Sequence, residues 1–117
     1  MKTKRVEISD ELEEIIEDLK PYDPEKIFLY GSHARQEASE ESDIDLLIIK
    51  STKKRTLDRL DDVMGLLYPK EKIGLNYSRF NLEIDPLILT PEELEEKREN
   101  NFFIKEILND ANLIYEK

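Results

Sequence analysis

Gly31-Ser32-His33-Ala34-Arg35, followed by Ser42-Asp43-Ile44-Asp45-Leu46, is the stretch on which the reading of this chain turns. The glycine and serine close one apolar run, Lys26 to Tyr30 (Lys-Ile-Phe-Leu-Tyr), and the acidic pair opens the next, which continues to Ile49. Asp43 and Asp45 are two apart in an extended run, so both side chains leave the same face of a strand. Two carboxylates held side by side repel each other, which disfavours ionising both. A bound cation removes that penalty, and hard oxygen donors of this kind suit Mg²⁺. The Gly-Ser turn upstream offers backbone N–H groups and a hydroxyl, the equipment that holds a phosphate. A phosphate cradle beside metal-binding carboxylates points to metal-assisted nucleotidyl transfer. In that reading Gly31 lets backbone approach phosphate oxygens, and Ser32 hydrogen-bonds the β- or γ-phosphate. Arg35 either contacts phosphate or pairs with the acidic residues between Glu37 and Glu41. His33, the only histidine, reads as a solvated side chain.

The joint pattern Gly-Ser-x-Ala-Arg, then Ser-Asp-Ile-Asp-Leu, resembles the signature of the minimal nucleotidyltransferase (MNT) family, within the DNA polymerase β-like nucleotidyltransferase superfamily. The match covers Tyr30 to Ile49 closely and the order of the remaining elements more loosely. One departure is visible: the family usually has Gly after the Arg, and this chain has Gln36. That change bears on loop geometry more than on metal binding. The resemblance implies a nucleotidyltransferase fold, two Mg²⁺ ions and ATP as substrate. It also implies a third carboxylate on a neighbouring strand, which would share the second metal and orient or deprotonate the attacking hydroxyl. Asp85, in Leu82-Glu83-Ile84-Asp85-Pro86, is the candidate, because apolar residues flank it as they do in the family's third-Asp strand. Glu83 lies on the same strand face and is the competing choice. Family members pair with HEPN proteins as antitoxin and toxin, and some transfer AMP to a tyrosine of that toxin. The resemblance therefore implies an adenylyltransferase antitoxin. The competing reading is a binding module that keeps the fold and blocks its partner by contact.

At 117 residues the chain reads as one domain, 1–117, with a modest core. Eighteen basic against 28 acidic residues give a net charge of −10. Charged residues make up 39% of the chain, well above the roughly 25% of ordinary soluble domains. An acidic surface repels phosphate backbones, which argues against non-specific nucleic-acid binding and is compatible with a basic partner. With no cysteine there is no disulfide framework and no zinc-thiolate site. No apolar run approaches the roughly 18 residues needed to span a bilayer, and no signal-peptide core follows the basic start. A cytoplasmic location is expected.

Leu12, Ile15, Ile16 and Leu19 fall at helical spacing behind Asp10, which can cap, and Pro21 and Pro24 end that helix. Lys26 to Tyr30 is expected as a buried strand, Ser32 to Ala38 as a short helix, 39–42 as a loop, and Asp43 to Ile49 as a second strand. Lys54 to Leu67 is expected as a helix with Leu57, Leu60, Val63, Met64 and Leu67 on its buried side. Lys50, Lys53, Lys54 and Arg55 form a basic cluster before it, either meeting a triphosphate or partner or simply solvated. Tyr68 to Ser78 reads as loop or irregular strand. Arg79 to Leu89 reads as a third strand, held to an edge or bulged by Pro86. Thr90-Pro91 starts a helix anchored by Leu94. Phe102, Phe103, Ile104, Ile107 and Leu108 make another helical stripe, and Asn112 to Tyr115 a closing strand. The sum is an α/β (α+β) architecture, a small mixed sheet covered by helices.

Overall fold

The computed structural model describes residues 10–31, 34, 43–70 and 83–117. The described elements are helix α1 (Asp10–Leu19), a single 3₁₀ turn (Lys20–Tyr22), strands β1 (Lys26–Tyr30) and β2 (Ile44–Ile49), and helix α2 (Thr56–Leu67). Strand β3 (Ile84–Leu89), helices α3 (Pro91–Asn100) and α4 (Phe102–Asp110), and strand β4 (Asn112–Glu116) complete the chain. The helix expected over Ser32 to Ala38, the loop at 39–42, the stretch 71–78 and the 79–82 portion of the third strand lie outside the described residues.

The strands form one mixed sheet in the order β3-β2-β1-β4. β2 and β3 run parallel, joined through α2, while β1 is antiparallel to both of its neighbours. Pro86, which has no N–H to give to a ladder, sits on β3, an edge strand. Alternation along the strands sorts side chains onto two faces. On one face Ile27, Leu29, Leu46, Ile48, Ile84 and Ile88 pack with the apolar stripe of α1 and with Val63 and Leu67 of α2. On the other Phe28, Leu47, Ile49 and Leu89 pack with Ile104 and Ile107 of α4 and with Leu94 of α3. β2 is central and covered on both sides, which is why its downstream half is a continuous apolar run.

The periodicity placed α1 correctly, with Leu12, Ile15, Ile16 and Leu19 all buried. In α2 the expectation fails at its first turn. Leu57 is exposed, and the buried position is Arg59. Arg59 Nη1 donates to Glu93 Oε1 at 2.6 Å and Nη2 to Glu93 Oε2 at 3.3 Å. Its Nε donates to the Lys54 carbonyl at 2.8 Å. Glu93 in turn accepts from the Thr90 N–H, and the Thr90 hydroxyl accepts from the Glu93 N–H, closing a capping box at the start of α3. A charge can be buried there because its counter-ion and hydrogen bonds come with it. Phe102 and Phe103 are likewise exposed, in the first turn of α4, and the stripe that meets the sheet begins at Ile104.

Candidate functional site

β1 ends at Tyr30, and the chain turns out of the sheet through Gly31 at φ +77°. Only a residue without a Cβ adopts that conformation readily. A Cβ at Gly31 would also collide with the carboxylate oxygen Oδ2 of Asp45. The glycine therefore lets the backbone close down on a carboxylate of the neighbouring strand.

Register does the rest. Tyr30 lies opposite Asp45 across the antiparallel β1–β2 pair, and Asp45 lies opposite Asp85 across the parallel β2–β3 pair. Lateral neighbours share a face and lie about 5 Å apart. Tyr30, Asp45 and Asp85 thus form a row across three strands, on the α4 side of the sheet with Leu47 and Leu87 below them. Asp43 comes just before β2 and Glu83 just before β3; the backbone N–H of Ile44 donates to the Glu83 carbonyl at 2.8 Å and ties the two strand starts together. Asp43, Glu83 and Asp85 are exposed, and Asp45 is half-buried. An open groove of about 450 Å³ borders Asp43, Glu83 and Asp85, with Met64, Tyr68 and Ile84 as its apolar lining.

The electrostatics follow from like charges at one rim. A hydrogen bond with Asp43, and then the Asp43 charge, hold the Glu83 carboxyl above the usual carboxylate range. Burial first, with the charges of Asp45 and Asp85 adding, pushes the Tyr30 phenol up to about 12. The phenol is therefore neutral at ordinary pH, a wall beside the carboxylates rather than a charged partner.

Of the residues expected at the site, Gly31, Asp45 and Asp85 come together in this row, and Asp43 stands at the same rim beside Glu83. Ser32, Arg35 and Gln36 lie outside the described residues. The donor set is all hard oxygen, which suits Mg²⁺. Among the described residues no three carboxylates converge closely enough to hold one ion as they stand, since the register pairs Asp45 with Asp85 while Asp43 bonds to Glu83. The basic cluster is elsewhere. Lys50 follows the far end of β2, its ammonium 5.3 Å from the centre of the Tyr22 ring, and Lys54 pairs with Asp62 at 2.8 Å. Two residues of this region escape a reading from sequence. Tyr30 looks like a routine strand residue, and Asn112, whose side-chain amide donates to the Ala34 carbonyl at 3.2 Å, is 78 positions away from its partner.

Residues 11–117 match the family described as polymerase beta, nucleotidyltransferase. The chain belongs to that family. This nucleotidyltransferase is 35% identical over 96 residues to a protein of Methanocaldococcus jannaschii assigned as a protein adenylyltransferase, a match that covers 78% of this chain. It spans 58% of that relative's length. Its fold is similar to the crystal structure of a Sulfolobus solfataricus protein assigned as a nucleotidyltransferase, with a TM-score of 0.59, 19% identity, and coverage of 91% of this chain and 78% of the other. The mixed four-stranded sheet with helices on both faces is thus a nucleotidyltransferase architecture.

Proposed function

We propose that this nucleotidyltransferase transfers AMP from ATP to a protein hydroxyl, and that the acceptor is a tyrosine of a HEPN-type partner that the transfer silences. The observation that carries the reading is the in-register row Tyr30–Asp45–Asp85 closed on one side by the Gly31 turn. The assignment of the M. jannaschii relative as a protein adenylyltransferase supports a protein acceptor, and the net charge of −10 suits a basic one.

In this reading Asp43, Asp45 and Asp85 would hold Mg²⁺, with Glu83 as the neighbour able to replace Asp85. Bound there, the ions would neutralise the triphosphate and stabilise the charge that develops on the α-phosphate and the leaving pyrophosphate. Gly31 brings its backbone against Asp45, and in this reading the N–H groups that follow would face phosphate oxygens. Ser32 and Arg35 would complete the phosphate contacts. Asp85, exposed at the rim, can accept the proton of an incoming hydroxyl.

Asp85→Asn tests the assignment. The substitution removes one charge from a like-charged rim, so folding is unchanged or improved in the absence of metal. Transfer should fall about 10²- to 10⁴-fold. Mass spectrometry of the partner after incubation with ATP and Mg²⁺ reads an added AMP directly. Equal modification by both chains would remove Asp85 from the site and make Glu83 the third carboxylate. Neutralisation of the partner with no AMP added by either chain would replace enzyme by binding module.

A further inference from the structure

We infer that Asn112 is a positioning residue for the nucleotide: its side-chain amide, donating to the Ala34 carbonyl, holds the far side of the turn whose near side Gly31 packs against Asp45. The inference rests on reading that turn as the phosphate cradle. Asn112 is the first residue of β4, on the opposite side of β1 from the carboxylates.

The strand pairing shows how it reaches the turn. β1 and β4 begin in register, with Lys26 opposite Glu116 and Ile27 opposite Tyr115. Continued without a break, that register would set Asn112 opposite Tyr30. It shifts by one between Ile27 and Phe28, so Phe28 meets Leu113 and Leu29 meets Asn112. A shift of one residue exchanges the two faces of a strand, and bulges next to functional sites commonly re-aim a side chain. Here the shift aligns Asn112 with Leu29, which faces the α1 side of the sheet. Ala34 packs on that same side. The amide is half-buried, and Nδ2 toward the carbonyl is the orientation that gives an attraction. The turn is thereby held at two points: by a missing Cβ at Gly31 and by a donated hydrogen bond at Ala34. Asn112 directly follows Ala111, the residue between α4 and β4, so its hydrogen bond joins the start of β4 to Ala34.

Asn112→Asp keeps the shape of the side chain and replaces the donor by an acceptor facing a carbonyl; Asn112→Ala removes both. Each should weaken ATP binding in the presence of Mg²⁺ about 3- to 10-fold, the range set by one net hydrogen bond. Each should also speed amide exchange in the peptide carrying Gly31 and Ala34. Leu113→Ala serves as the control, since it loosens β4 on the other face and should lower the melting temperature without changing ATP affinity. The inference is overturned if Asn112→Asp leaves both affinity and exchange as they were, or if Leu113→Ala weakens ATP binding as much. If the unsubstituted chain does not bind ATP, the proposed function falls instead, and the exchange rates still decide whether Asn112 holds the turn.

Discussion

The two ends of β3 carry charge in opposite ways. At the Leu89 end, Arg59 is buried with its side chain 7% exposed, and two hydrogen bonds to Glu93, one to the Lys54 carbonyl and one to the Ile88 carbonyl at 3.4 Å satisfy it. At the Ile84 end, Asp43, Asp45, Glu83 and Asp85 crowd one rim, like charge against like, with a hydrogen bond forcing Glu83 toward its protonated form. The first arrangement joins α2, β3 and α3 and makes sense as structure alone. The second gathers like charges, and under the proposed function a cation would relieve their repulsion. A strand of six residues separates the buried ion pair from the acidic rim.

The largest effect that would break this contrast comes from the closed end. Arg59→Ala leaves Glu93 without its partner and should cost about 3 kcal/mol of stability in urea titrations. Transfer per folded molecule should stay close to that of the unsubstituted chain, because the rim lies at the other end of the strand. A stable Arg59→Ala chain with lost transfer would mean that the two ends are not separable.

Gly31→Ala is the counterpart at the open end. It forces a side chain into a left-handed conformation, which costs about 1–3 kcal/mol, and drives its Cβ into the Asp45 carboxylate. Stability and ATP affinity should fall together. If only stability falls, Gly31 is a turn residue and nothing more.

The pH dependence sharpens the contrast at smaller scale. The hydrogen bond from Arg59 first, opposed by burial, and then the Thr90 N–H and the Arg59 charge hold the Glu93 carboxyl below its ordinary 4.5. A lowered carboxyl contributes stability that is present above the unfolded value and lost as the pH falls through the folded one. The unsubstituted chain should thus lose stability between about pH 5 and the lowered value, and Glu93→Gln should flatten that part of the curve. Glu83 titrates with the opposite sign. Its raised carboxyl favours the fold below 4.5, and that contribution fades as the pH rises through the folded value. Thermal melts across pH 2–7 on Glu93→Gln and Glu83→Gln should therefore bend in opposite directions.

Much of this was legible in the residues. The run Leu46 to Ile49 reads as a central buried strand because it is apolar at every position, and Asp43 and Asp45 stand out as an acidic pair at its start. Asp85 was singled out by analogy, and the structure sets it opposite Asp45 across the β2–β3 pair, a neighbour the sequence alone does not name. What escaped depends on pairing across distance. A helical stripe predicts that Leu57 is buried, yet the ion pair with Glu93, 34 positions on, buries Arg59 instead. Phe102 and Phe103 fit the α4 period by hydrophobicity, but the sheet contact begins only with the next residue, Ile104. Asn112 is invisible until a register shift in β4 turns it toward Ala34.

The most direct test of the central claim is a calorimetric titration of ATP with and without Mg²⁺, on the unsubstituted chain and on Asp43→Asn/Asp45→Asn. Binding should require the metal and be lost in the double variant, while the variant melts at the same temperature or higher. Equal, metal-dependent affinity in the double variant would contradict it and move the nucleotide site away from the acidic rim.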